Sequence, residues 1–253
     1  MTFCLAAKVA EGLVGIADTR VMTGPERITA RKLTIHERPG HAFFIMTAGN
    51  RSVRDKAITY FEEVIAERDE SFDRLYREVN AFAEQVRRVA SEDKAALEES
   101  GLSFNLSALV GGQLERDDEP RLYLLYPQGN WVEVARGTPY FVIGESQYGK
   151  PLLDRALSYD TPMDVALKIG FLAFDATHAS ATDVGYPLDV MVCRAGARRM
   201  YQHRFDHGDL QHVSDWWQQR VRAAVDECPG EWVDRVFGPE DEEGRLRSVP
   251  PPA

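Results

Sequence analysis

The sequence predicts a single α+β domain in which two antiparallel sheets pack face to face with helices on their outer sides. Strand-length apolar runs fill the first fifty residues and recur over 106–143 and 188–204, while helical periodicity occupies the intervals between those blocks. Strands in blocks alternating with helices in pairs suit stacked layers better than βαβ crossovers. No linker and no internal repeat divides the chain, and 253 residues with 44% hydrophobic side chains can enclose one sizeable core.

Residues 3–9 and 13–18 are apolar runs of strand length, and Glu11-Gly12 between them suits an antiparallel hairpin. A polar loop is expected over 19–31, with Gly24-Pro25 as its turn signal. A short strand follows at 33–36, and Arg38-Pro39-Gly40 turns the chain into a fourth strand, 42–47, that ends at Ala48-Gly49-Asn50. Ala57, Ile58, Phe61, Val64 and Ile65, then Phe72, Leu75, Val79, Phe82, Val86 and Val89, keep three- and four-residue spacing. That stripe predicts two amphipathic helices divided near 69–71. Strand signals return at 106–111, 122–126, 131–135 and 140–143, with Gln128-Gly129-Asn130 as a hairpin turn.

A helix is predicted over 150–159 and a second after Asp160-Thr161-Pro162, where Asp or Thr can cap and Pro suits the first turn. The interior of that second helix, 165–174, is apolar almost all round and is expected to be buried. Late strands are expected at 188–193 and 199–204, then a helix over 210–225 with Val213, Trp217, Val221 and Ala224 on one side. The domain is expected to span 1–228. Residues 229–253, with the acidic run 240–243 and a final Pro-Pro-Pro, read as an exposed tail.

Composition excludes several classes. Forty acidic against thirty basic residues give a net charge of -10, spread without a basic stripe, so nucleic acid is a poor partner. No window approaches the roughly 18 apolar residues of a membrane span. No secretion signal opens the chain, so a cytoplasmic protein is expected. Cys4, Cys193 and Cys228 are too few and scattered for a disulfide framework and are expected to be reduced thiols. His203, His207 and His212 with Asp206 and Asp209 match no zinc spacing and read as a solvated turn, so no metal is expected.

The chemistry-bearing signal lies at the start. Met1 precedes Thr2, and an initiator Met before a small residue is generally removed. A terminal threonine carries its own base, because a free α-amine titrates near ~8 and can take the hydroxyl proton directly or through water. Asp18 ends the second predicted strand, Lys32 opens the third and Gly49 ends the fourth. In a twisted antiparallel sheet those ends can converge on the terminus.

Thr2-Phe3-Cys4-Leu5-Ala6, the run from Gly12 through Asp18-Thr19-Arg20, Arg31-Lys32-Leu33 and Met46-Thr47-Ala48-Gly49-Asn50 together resemble the proteasome β-type, N-terminal-threonine hydrolases. Gly144-Glu145-Ser146-Gln147-Tyr148-Gly149-Lys150-Pro151 and Asp183-Val184-Gly185-Tyr186-Pro187-Leu188-Asp189 resemble most the bacterial ancestral β-subunit branch, Anbu. The resemblance covers roughly the first 200 residues. It implies the four-layer αββα sandwich of the N-terminal-nucleophile hydrolase fold and a threonine peptidase that needs no cofactor.

Residue by residue, the resemblance implies Thr2 as nucleophile with its amine as general base. Lys32 is then the cation that favours the alkoxide-like state, and Asp18 keeps Lys32 charged and oriented. The Gly49 N–H forms the oxyanion hole, and Asp183 is the supporting acid near the amine. Ser146, or its neighbour Gly144 or Glu145, would supply the support that relatives draw from a serine. Val21, Ala30, Thr47 and Arg51 resemble the specificity pocket: Thr47 is small enough for a deep pocket, and Arg51 would favour an acidic side chain. The implied partners are a peptide or unfolded-protein substrate and further copies of the chain in a ring or helical array. The helices over 57–90 are expected contact surfaces for that array, Trp216-Trp217 reads as core or a subunit contact, and whether an ATPase feeds the array is left open. Two alternatives share the fold: an amidohydrolase of a small amide, and a silent structural subunit. The α-type subunits carry a helical segment before the first strand, whereas here a strand begins near residue 2, which favours the active type.

Overall fold

A computed structural model describes residues 2–23, 26–68 and 72–237. Strand β1 (Phe3–Val9) and strand β2 (Gly12–Asp18) form the N-terminal hairpin, and every residue of both is buried. Both faces of this pair are covered, which is why the two segments read as continuous apolar runs.

Residues 19–31 hold more than the expected loop. Strand β3 (Arg20–Thr23) and strand β4 (Glu26–Thr29) pair as a two-stranded ribbon, with Val21 opposite Ile28. Five of the ribbon's eight residues are polar, so its sequence reads as a loop. The Gly24-Pro25 turn lies outside the described residues. Strand β5 (Leu33–Arg38) and strand β6 (His41–Gly49) are both longer than predicted, as pairing carries them to Arg38 opposite His41.

Helix α1 (Arg51–Arg68) and helix α2 (Leu75–Glu99) follow, and the expected break at 69–71 lies outside the described residues. Strands β7 (Leu106–Gln113), β8 (Arg121–Leu125), β9 (Trp131–Glu133) and β10 (Tyr140–Gly144) come next. Helix α3 (Lys150–Ala156) stops three residues short of its predicted end, and helix α4 (Met163–Ser180) starts behind Pro162. Thr161 does not cap α4, because its hydroxyl instead accepts the Ser158 N–H at 2.9 Å within the turn between the helices. Nor is 165–174 buried all round: Val165 is 37% exposed. Strands β11 (Leu188–Arg194) and β12 (Tyr201–Phe205) precede helix α5 (His207–Asp226) and helix α6 (Glu231–Phe237). Part of the expected tail is therefore helical, and residues 238–253 lie outside the described residues.

One sheet has the order β10-β1-β2-β11-β12 and the other β5-β6-β7-β8-β9, with antiparallel neighbours throughout. Strand alternation builds the layers. Ala42, Phe44 and Met46 of β6 meet Cys4 and Ala6 of β1 in the core between the sheets. Phe43 and Ile45 point the other way, onto Phe61, Val79, Phe82 and Val86 of α1 and α2. On the opposite side Phe3 packs edge-on against Phe174 of α4 at 6.0 Å. The result is the four-layer αββα sandwich, with α3 and α4 outside one sheet and α1 and α2 outside the other. Gly15 lets the sheets approach, since a Cβ there would lie 2.4 Å from the Met46 methyl.

The chain divides into a compact unit over 1–210, which contains this sandwich, and a second unit over 211–253. In the described part of the second unit, Trp216, Val221, Val225, Trp232, Val236 and Phe237 are exposed. Of the α5 side predicted as apolar, Val213 and Trp217 are half-buried.

Candidate active site

Strand ends bring the predicted residues together. Asp18 closes β2, Lys32 immediately precedes β5, Gly49 closes β6 and Thr2 immediately precedes β1. Cys4 pairs with Ala17, so the last residue of β2 lies beside the first of β1, and the Phe3 N–H donates to Asp18 Oδ1 at 2.8 Å.

Asp18 is fully buried. Its Oδ1 also accepts the Lys32 Nζ at 2.6 Å, and its Oδ2 accepts the Gly185 N–H at 3.3 Å. Lys32 donates a second bond to the Arg20 carbonyl at 2.8 Å, so two of its three ammonium hydrogens are committed to one side of the site. Burial pushes the Asp18 carboxyl up from the ordinary carboxylate range, and the Lys32 charge, the bond from Lys32 and the two N–H donors pull it back. Such a pair tolerates burial only with both partners present.

Thr2 is held by the end of β10. The Glu145 N–H donates to the Thr2 carbonyl at 2.6 Å. Gly144 has φ +85°, and a Cβ there would lie 1.9 Å from the Thr2 carbonyl oxygen. Gly49 is equally constrained, with φ +130° and an added Cβ 2.1 Å from the Asn105 carbonyl. The Asn50 N–H donates to that carbonyl at 2.8 Å, and Asn50 Oδ1 accepts the Asn105 N–H at 2.7 Å. This double link ties the end of β6 to the start of β7.

A cleft of about 570 Å³ opens at these strand ends. Thr2, Lys32 and Gly49 line it, as do all four predicted pocket residues, Val21, Ala30, Thr47 and Arg51. Asp18 lies behind Lys32. Asp183 is not among the lining residues; it sits on the loop whose Gly185 N–H reaches Asp18. Of the three alternatives at 144–146, Gly144 lines the cleft, while the Ser146 carbonyl accepts the Lys150 N–H.

Several contributors were not singled out from sequence. Met22, Arg31, Ala48, Arg54, Asn105 and Ser107 also line the cleft. Arg20 acts twice: its carbonyl holds Lys32, and its guanidinium donates to the Thr182 and Val184 carbonyls at 2.9 and 3.3 Å. It lies so close over Gly185 that a Cβ there would be 2.2 Å from the guanidinium carbon. The available signal is the β-branched content on either side of Gly24-Pro25, with Val21, Thr23, Ile28 and Thr29, which reads as a short hairpin beginning at Arg20.

Cys4 is a core residue beneath the site, and burial pushes its thiol far up. His207 lies against Tyr186, with ring centres 5.1 Å apart. Among the described residues no group of three His, Cys, Asp or Glu is arranged to hold a metal ion, and no helix is long and apolar enough to cross a membrane.

The proteasome subunit family profile matches residues 2–193. Among solved structures, the helical assembly of the Anbu complex from Pseudomonas aeruginosa is 31% identical with a TM-score of 0.84, over 90% of this chain and 97% of that one. Anbu from Yersinia bercovieri is 31% identical with a TM-score of 0.82, over 90% and 98%. A mutant Anbu from Hyphomicrobium sp. strain MC1 is 29% identical with a TM-score of 0.83, over 90% and 99%. No curated protein matches the sequence.

Proposed function

The chain belongs to the proteasome subunit family, with β-type, Anbu-like character, and on that premise we propose that it is a threonine peptidase. The observation that carries the reading is the buried Asp18–Lys32 pair set in the wall of the cleft that Thr2 also lines. Taking two charges out of water costs several kcal/mol per ion, and what supports a catalytic use of this pair is that its ammonium reaches the wall of that cleft.

In this reading removal of Met1 frees the Thr2 amine. Thr2 Oγ attacks the scissile carbonyl carbon while its proton passes to the α-amine, directly or through water. The Lys32 ammonium stabilises the oxygen as negative charge builds there. Asp18, fixed by the Phe3 and Gly185 N–H groups, sets the position of Lys32, and Asp183 supports the amine. The carbonyl oxygen takes up charge toward the Gly49 N–H, a contribution worth about 10²–10³ in rate for one such donor. The α-amine then gives its proton to the leaving amine as the C–N bond breaks, and water hydrolyses the ester at Thr2. Val21, Ala30, Thr47 and Arg51 receive the peptide side chain.

The same premise extends to assembly. We infer self-association into a homo-oligomer, by analogy with the helical assembly of the Pseudomonas relative and consistent with the exposed apolar residues of α5 and α6. Light scattering would show a mass well above 28.5 kDa; a monomer at micromolar concentration would contradict it.

The activity is tested with a panel of fluorogenic peptides and Thr2→Ala. Hydrolysis by the wild-type protein and its loss in the variant are expected. Equal hydrolysis by both would overturn the reading.

A further inference from the structure

The cleft has a charge opposite to that of its protein. The whole chain carries -10, yet among the described residues that line the cleft four are cations, Arg31, Lys32, Arg51 and Arg54, and none is a carboxylate. Lys32 is matched by Asp18. The three arginines have less compensation: Arg51 and Arg54 share one carboxylate, Asp55, at 3.4 and 2.7 Å. Arg54 is held on one side only, for its Nε is buried and has no hydrogen-bond partner.

A neighbouring cavity differs in its lining charge. It has about 530 Å³ and also includes Arg31 and Arg54, but Asp55 and Glu62 line it with them. On that side Arg54 meets Asp55, and Glu62 lines the same cavity. Among the described residues lining the Thr2 side there is no carboxylate, and a concave wall of unbalanced like charge focuses potential toward an incoming anion.

Resting on the threonine-peptidase reading and naming its substrate class, we propose that the cleft selects peptides with an acidic side chain, Asp or Glu, at the residue whose carbonyl Thr2 attacks. Arg54 and Arg31, together with Arg51, are the specificity-determining residues. A planar guanidinium suits this task, because its fork of N–H donors matches both oxygens of a carboxylate. Thr47 and Ala30 leave room for the side chain, and the charge is recognised at the arginine wall beyond them. An uncharged isostere of glutamate would leave those donors facing an amide, which returns fewer and weaker bonds.

The test separates recognition from chemistry by using the Thr2→Ala protein, in which no bond is made or broken. Binding of two fluorescent tripeptide amides, identical except for Glu or Gln as the last residue, is followed by polarisation. The expected result is about tenfold tighter binding of the Glu peptide at low salt, with the gap shrinking at 0.5 M salt as exposed charges are screened. Arg31→Met and Arg54→Met should each reduce the preference severalfold, and Arg54→Glu should reverse it toward a Lys peptide. Arg31 is exposed, so its variant carries little risk to folding. Equal binding of the two peptides, failure of the Glu peptide to bind at millimolar concentration, or a gap that survives all three substitutions would overturn the proposal. Failure of the peptidase reading shows elsewhere, as an unreactive Thr2 in the wild-type protein, whatever the peptide preference.

Discussion

Two buried carboxylates lie one residue apart on neighbouring strands, and their partners differ in an instructive way. Asp18 on β2 meets an ammonium, Lys32, at one oxygen, with backbone N–H groups completing its shell. Asp189 on β11 meets the guanidinium of Arg204, its direct cross-strand neighbour, with both oxygens engaged at 2.7 Å. The Arg204 pair closes on itself and joins β11 to β12, which is a structural task. The Lys32 pair leaves its compact cation at the wall of a cleft that Thr2 and Gly49 also line. Burial of charge alone therefore does not separate the two pairs; the cleft around the cation does, and on the proposed reading that cleft is where Lys32 acts.

Exchanging the two kinds of cation is the sharpest way to break this comparison. The largest effect is expected from Lys32→Arg, which preserves charge but replaces a point-like ammonium with a wide fork. Peptide hydrolysis should fall by about 100-fold or more, because the charge would be displaced from the Thr2 hydroxyl. A variant within threefold of wild type would remove Lys32 from the account.

Gly144→Ala comes next. Its Cβ would fall on the Thr2 carbonyl and its φ is positive, so Thr2 must shift while the Asp18–Lys32 pair remains. The expected outcome is a loss of about 100-fold in kcat with a folded far-ultraviolet spectrum. Unchanged kcat would mean that Thr2 does not need its place at the end of β10.

Arg204→Lys should do less. Urea unfolding is expected to show a loss of about 1 kcal/mol, modest because Arg204 is 35% exposed, while kcat/KM stays within about twofold. A collapse of activity would merge the two pairs into one functional network.

The smallest effect concerns the thiols. Burial pushes Cys193 up to about 11 and Cys4 higher still, so at pH 8 the thiolate fraction of Cys193 is about 10⁻³. Native protein should therefore alkylate at the exposed Cys228 alone, and all three thiols should react after denaturation. Rapid native labelling of Cys4 would show that the core beneath the site opens.

Much of this was legible in the sequence because each layer is written in its own period. The apolar stripe from Ala57 to Val89 specifies α1 and α2, and the two-faced runs of β1 and β2 specify strands covered on both sides. Asp18, Lys32 and Gly49 were readable as strand ends, and strand ends share one edge of a sandwich. What escaped has local causes. The β3–β4 ribbon hides because five of its eight residues are polar, and with it went the second role of Arg20. Arg31 and Arg54 lie on different elements, a pre-strand residue and the first turn of α1, so only the folded register brings them to one cleft. The end of α3 was misplaced because Thr161 serves a turn with Ser158 instead of capping α4.

The central claim, that Thr2 is a terminal nucleophile activated by a buried lysine, is tested most directly by intact mass spectrometry before and after exposure to a peptide epoxyketone. The account predicts a protein that starts at Thr2 and gains the mass of one inhibitor, with no gain in Thr2→Ala and a slowed gain in Lys32→Arg. A chain that retains Met1 and never gains mass, or an adduct that persists in Thr2→Ala, would contradict it.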